Sequence, residues 1–166
     1  MEIRETICGT KPIHIQERNN MLVCLTCWEV YDSDVMNRVG SEQLWCPKKS
    51  CSQELVDLDE CLIPVIKELN EKGYYTVSCC SGHFYHNQYS STFYADTHIQ
   101  FDDSVRREDL RDLPPGFNIE VDNGHIGTTI RKSYDIEDPM DLHIEILKTA
   151  IDLTKWVRGL EELPEE

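Results

Sequence analysis

The cleanest pattern in the chain lies between Phe93 and Phe101, where FYADTHIQF alternates without a break. Phe93, Ala95, Thr97, Ile99 and Phe101 fall on one side of an extended chain; Tyr94, Asp96, His98 and Gln100 fall on the other. That is the two-residue period of a strand with one face in a core, and it aims His98 away from that core. YYTVSCC, ending at Cys80, is a second strand by its aromatic and β-branched content. FNIEV and HIGTTIRKSY flank Asp122-Asn123-Gly124 and predict a hairpin. In its second arm Ile126, Thr128 and Ile130 share one face, and His125, Gly127, Thr129 and Arg131 the other.

Three segments carry the helical period instead. Val65 sits beside a Leu62, Ile66 and Leu69 stripe, with Asp59 placed to cap the start, Pro64 in the first turn and Gly73 past the end. DDSVRREDLRDL predicts a capped helix stopped by Pro114-Pro115-Gly116. The last helix has Asp138 as cap, Pro139 in its first position and Gly159 as its stop, and Ile144, Leu147 and Ile151 are its expected core stripe. The resulting order, α-β-β-α-β-β-α, predicts an α+β fold. It is a two-layer sandwich with a mostly antiparallel sheet and helices largely on one side. The opposite face then carries His98, Arg131 and His125.

The amino-terminal third reads differently. Cys24 and Cys27 in CLTC, and Cys46 and Cys51 in CPKKSC, are two cysteine pairs separated by a stretch long enough for a hairpin. A short gap within each pair lets a tight turn aim both thiolates at one point, as a tetrahedral metal requires. Gly40, Ser41 and Pro47 suit the second turn. Four protein ligands leave no open coordination position, so the expected metal is a structural zinc in a ribbon. The segment has few large apolar residues, and a metal staple supplies what its core lacks. Residues 1–58 are therefore expected as a zinc-ribbon module and residues 59–166 as an α/β ligand-binding domain. Cys8 and His14 are left outside the ligand set, and Ile13 and Ile15 suggest a short strand.

Charge narrows the partners. The formal net charge is −15, with −3 over residues 1–58 and −12 over residues 59–166. Nucleic-acid binding needs cations to displace counterions from phosphates, so direct binding of DNA or RNA is not expected. No apolar run approaches the length of a membrane span, and the first residues lack a basic and apolar leader, so the expected location is cytoplasmic.

The stretch TVSCCSGHFYH concentrates the remaining chemistry. Cys79 and Cys80 are adjacent on a strand and point to opposite faces, which disfavours joint chelation with His83 and His86. Nucleophilic use of Cys80 or Ser81 needs a base, and His83 is near in sequence. A vicinal disulfide is strained and does not suit a reducing compartment. The favoured reading is a ligand-binding turn built from Cys80, Ser81, Gly82 and His83. Gly82 permits a positive φ, and His98 and Arg131 stand beside the turn. Arg131 would supply a counter-charge to the carboxylate or phosphate of a small polar or nucleotide-like ligand. A plain tight connection, a hydrolase using His83, His86 and His98, and a non-enzymatic acidic protein that occupies the basic surface of a protein partner remain open beside it.

With ELNEKGYYTVSCCSGH, then THIQF, then TTIRKS in this order, residues 57–139 resemble the wybutosine-synthesising tRNA N-methyltransferases. That family carries a helix ending in Leu-Asn, a Tyr-Thr strand, a Ser-Cys-Ser-Gly-Arg loop, a His-Val strand and an Ile-Arg-Ser strand. The resemblance implies that Cys80, Ser81 and Gly82 line a site with His98 and Arg131 beside it. It also implies S-adenosylmethionine as cofactor and a tRNA guanosine derivative as substrate. His83 stands where the family has arginine, the family's glycine-tryptophan segment has no counterpart, and the zinc ribbon is additional.

Overall fold

The computed structural model describes residues 20–32, 45–48, 50–51, 53–82, 85–87, 91–121 and 127–164. Cys8, His14, Ile13, Ile15, Gly40, Ser41, His83, the Asp122–Gly124 turn, His125 and Ile126 lie outside them, as does the side chain of His86. Among the described residues the fold is α+β, with two antiparallel sheets and two α-helices.

The first sheet is three-stranded. β1 (Asn20–Val23) is central, flanked by β2 (Val30–Asp32) and β3 (Val56–Asp59). Its pleat divides the side chains between two cores. Leu22 packs with Leu55 around the buried cysteines, whereas Val23 and Leu58 join the larger core formed by the helices and second sheet. Because Asp59 is paired with Asn20 in this sheet, its backbone is still extended, and it does not cap the following helix. A 3₁₀ turn over Glu60–Leu62 intervenes before α1 (Ile63–Glu71), which buries Val65, Ile66 and Leu69.

The second sheet follows the order β4 (Thr76–Cys80), β6 (Thr92–Phe101), β8 (Thr128–Ile136), β7 (Asn118–Val121), with the short β5 (Tyr85–Asn87) also paired to β6. The alternation of β6 is realised: Ala95, Thr97, Ile99 and Phe101 are buried. β7 and β8 pair antiparallel, as the hairpin signal requires. α2 (Pro139–Gly159) covers the core side, and the Asp138 carboxylate accepts from the amides of Met140 and Asp141 at its start. At its other end Lys72 Nζ donates to the carbonyls of Val157 (2.9 Å) and Leu160 (2.6 Å), a cation placed on the negative end of the helix.

Two expectations fail for identifiable reasons. The segment Asp102–Leu113 forms only a 3₁₀ turn at Arg107–Asp109, so the order has no middle α-helix, and β5 is an added strand. Its two buried anchors are Val105 and Leu110. On an α-helix these would lie about 140° apart, at ~100° per residue, and could not both face one core. An irregular path lets both enter it.

The second failure concerns α2. Ile144, Leu147 and Ile151 do not form its core stripe; they are 40%, 44% and 56% exposed, and Met140 beside them is 64% exposed. The buried face is instead Leu142, Ile146, Thr149, Ala150, Leu153, Trp156 and Val157. Two stripes satisfy the helical period, and the one containing polar Thr149 is inside because that hydroxyl is paired. Tyr134 Oη donates to Thr149 Oγ1 at 2.9 Å, Lys132 Nζ donates to the same atom at 2.9 Å, and Thr97 Oγ1 lies 3.0 Å from Tyr134 Oη. A satisfied hydroxyl is tolerated in a core.

Replacing Leu153 by Ala should therefore cost about 2–5 kcal/mol, and Ile151→Ser less than about 0.5 kcal/mol. Urea unfolding of the two variants checks this, and equal losses would contradict the assignment of faces.

Candidate functional site

The two cysteine pairs converge. Cys24, Cys27, Cys46 and Cys51 place their Sγ atoms within 4.8 Å of one another, with Cys24 and Cys51 at 3.3 Å and Cys27 and Cys46 at 3.7 Å. Four sulfurs around a metal at ~2.3 Å would sit about 3.8 Å apart, so the cluster has the size of a tetrathiolate site. No disulfide joins any of them. Local turns produce the convergence: the Trp28 amide donates to the Cys24 carbonyl at 2.7 Å, with Trp28 in the left-handed region at φ 57°. The second pair is closed by Cys51 N to Lys48 O at 2.8 Å and Cys46 N to Gln53 O at 2.9 Å.

Electrostatics within the cluster favour one thiolate over its neighbours. Burial pushes the Cys24 thiol up, but the amides of Cys27 and Thr26 and the adjacent thiols outweigh it and bring it down to about 7. Its partner Cys51 is pushed up to about 12, first by sharing a hydrogen bond with Cys24 and then by burial. Crowded thiols cannot all ionise in each other's company; a dication removes that conflict and takes four thiolates. Tyr31 Oη, 3.5 Å from Cys46 Sγ, adds a donor to the cluster that the sequence did not single out. The four cysteines thus form a set that can hold a metal such as zinc.

The second group of residues lies on the face of the larger sheet that the helices leave uncovered. Register places Cys80 opposite His98, His98 opposite Arg131, and Arg131 opposite Asn118, one row across four strands. Directly opposed residues share a face, with Cβ atoms about 4.5–5.5 Å apart. Cys79 pairs with Ile99 in the adjoining row and packs on the main core. Burial pushes the Cys79 thiol up to about 12.

The row is tied together by two carboxylates that sequence reading did not select. Asp96 Oδ2 accepts from Arg131 Nη1 and lies 2.9 Å from His98 Nδ1. Glu120 Oε2 accepts from Arg131 Nε at 2.9 Å. Hydrogen bonding to Glu120, with help from Asp96, keeps the Arg131 guanidinium firmly charged. Asp96 was legible, being two residues from His98 on the same strand face; Glu120 depends on strand register. Two carboxylates stand against one guanidinium in this patch.

Ser81 and Gly82 are placed differently from Cys80. Both are buried, and the Ser81 amide donates to the Asp59 carboxylate at 2.6 Å. The Ser81 carbonyl accepts from Thr97 Oγ1 at 2.9 Å, and the Gly82 amide lies 3.4 Å from Cys80 Sγ. Gly82 has φ +111°, and a Cβ there would meet Ile146 Cδ1 at 3.1 Å. The turn is therefore anchored inward, and what it presents at the strand end is Cys80.

No protein-family model matches the chain, and neither curated proteins nor solved structures yield a significant match. Among the described residues, no helix is long and apolar enough to cross a membrane.

Elemental analysis of the purified protein should find about one zinc per chain, the content of a single four-thiolate site. Cobalt substitution should give intense thiolate-to-metal charge-transfer bands that Cys51→Ser abolishes. A protein that stays metal-free and keeps its melting temperature in strong chelator would contradict this.

Proposed function

We propose that this chain is a zinc-stapled α+β protein that binds a small polar, nucleoside-like ligand on its open sheet face. The zinc is structural, because four cysteine ligands complete its coordination. The observation that carries the ligand reading is the row Cys80, His98 and Arg131, supported at the strand end by Ser81 and Gly82. It is the one place on the uncovered face where an imidazole, a thiol and a guanidinium stand together among the described residues.

The surrounding carboxylates refine the ligand class. Arg131 already meets Asp96 and Glu120, so it does not offer the unopposed positive charge that a bare phosphate requires. A ligand with hydrogen-bond donors or a cationic group suits the patch better. S-adenosylmethionine, implied by the family resemblance, carries a sulfonium and an ammonium and belongs in the first panel tested, with nucleosides beside it. His83, where the resembling family has arginine, argues for testing binding before methyl transfer.

A ligand held at 100 times its Kd stabilises the fold by about 2.7 kcal/mol. In a thermal-shift panel of nucleosides and S-adenosylmethionine, a binder should raise Tm by roughly 5–10 °C for a chain of this size. Arg131→Ala should remove that rise and leave the ligand-free Tm within a few degrees. A rise that survives Arg131→Ala would move the ligand elsewhere.

A second reading, protein association, is favoured by the exposed ridge on α2. Met140, Ile144, Leu147 and Ile151 follow the 4-3-4 spacing of a coiled-coil seam. Sedimentation should then show a concentration-dependent dimer that Leu147→Glu disperses; a monomer at all concentrations ends this reading.

A further inference from the structure

The row that carries the proposed ligand site also has the arrangement of a thiol nucleophile with its base. We propose that Cys80 is a nucleophile for acyl transfer, with His98 as its general base and Asp96 as the positioning residue of that histidine. The inference rests on the same open face being the reactive site, though it does not depend on which ligand binds there.

Three observations converge. Strand register sets Cys80 directly across from His98 on one face. His98 Nδ1 is committed to Asp96 Oδ2 at 2.9 Å, which leaves Nε2 with no hydrogen-bond partner among the described residues. A carboxylate on Nδ1 fixes the tautomer in which Nε2 accepts a proton, the role such an acid has behind a catalytic histidine. Asp96 is itself held by Arg131, so the imidazole is oriented by a group that cannot easily turn away. Finally, the Gly82 amide lies 3.4 Å from Cys80 Sγ and directs a donor at the sulfur. Sequence proximity pointed to His83 as the base; the sheet supplies His98 instead, from eighteen positions along the chain.

The chemistry follows from these roles. His98 Nε2 takes the thiol proton as Cys80 Sγ attacks the carbonyl carbon of an activated acyl compound such as an ester or thioester. The leaving alkoxide or thiolate departs with the proton from His98, and the acyl group remains on Cys80 as a thioester. Water then attacks that thioester and gives its proton to His98, the carboxylic acid leaves, and the thiol is restored. The net reaction is acyl compound plus water to carboxylic acid plus alcohol or thiol, and no redox partner is needed.

The chain carries its own comparators. Cys61 and Cys79 are half-buried thiols outside the zinc cluster, and neither faces an imidazole in a cross-strand pair among the described residues. The test uses the zinc-loaded, full-length protein with two probes, iodoacetamide and 4-nitrophenyl acetate, and site-resolved peptide mass spectrometry at neutral pH. Cys80 should be alkylated at least ~10-fold faster than Cys79 and should acquire the acetyl group with release of 4-nitrophenol. His98→Gln should slow both reactions by ~10-fold or more, the lower range for loss of a general base. Asp96→Asn, which keeps a hydrogen bond and loses the charge, should move the acid limb of the pH–rate profile of acetylation to lower pH, because an imidazolium without its carboxylate gives up its proton more readily, a readout that simple loss of packing does not give.

An absence of acetyl-Cys80 in the wild-type protein overturns the proposal without recourse to any variant. So does an unchanged Cys80 rate in a folded His98→Gln protein. Failure of the nucleoside panel with Cys80 acetylated would defeat the ligand reading alone; a ligand shift lost in Arg131→Ala with Cys80 inert would defeat the nucleophile alone.

Discussion

A period of two, enforced by a core on one side only, is the constraint from which the rest of this structure follows. β6 is the central strand of its sheet, paired with β4, β5 and β8, and it buries Ala95, Thr97, Ile99 and Phe101. Slipping either main pairing by one residue would expose those side chains and bury Asp96 and His98, charged or polar groups that a core does not accept unpaired. Register is thus fixed by hydrophobic burial. The row Cys80, His98, Arg131 is its consequence on the other face, and the carboxylates of Asp96 and Glu120 can reach Arg131 only because of it.

The thiolate cluster solves a different problem in the same chain. Among the described residues, the small core around it has Leu22 and Leu55 as its buried aliphatic residues, with Tyr31 half-buried beside them. That is too little apolar surface to hold three short strands by burial alone. Metal coordination would replace it, and β3 passes the stabilisation on. Leu58 lies in the main core, while Asp59 at the strand end holds the Ser81 amide. The hydrogen bond from the Ser81 amide to Asp59 therefore links the cysteine module to the turn that presents Cys80.

What the sequence made legible divides along physical lines. The cysteine ligands, the strand alternation, the first helix stripe and the Asp138 cap are local patterns, and the structure contains them. The face of α2 was not legible, because two stripes obey the same period. The choice rests on Thr149 finding Tyr134 and Lys132, partners far away in sequence. The helix expected over Asp102–Leu113 fails because charge and capping residues suggested it while its two apolar anchors point apart. Asp59 has the right residue type for a cap and sits where a strand has not yet ended. At the site, Asp96 could be read from its place two residues before His98, whereas Glu120, and the inward turn of Ser81 and Gly82, depend on tertiary register.

The central claim is geometric, and nuclear Overhauser contacts between backbone protons test it most directly. The account predicts cross-strand contacts joining Cys80 to His98 and His98 to Arg131 in the zinc-loaded protein. Contacts that set Cys79 directly opposite His98, or Arg131 directly opposite a β6 residue other than His98, would show a shifted register and contradict it.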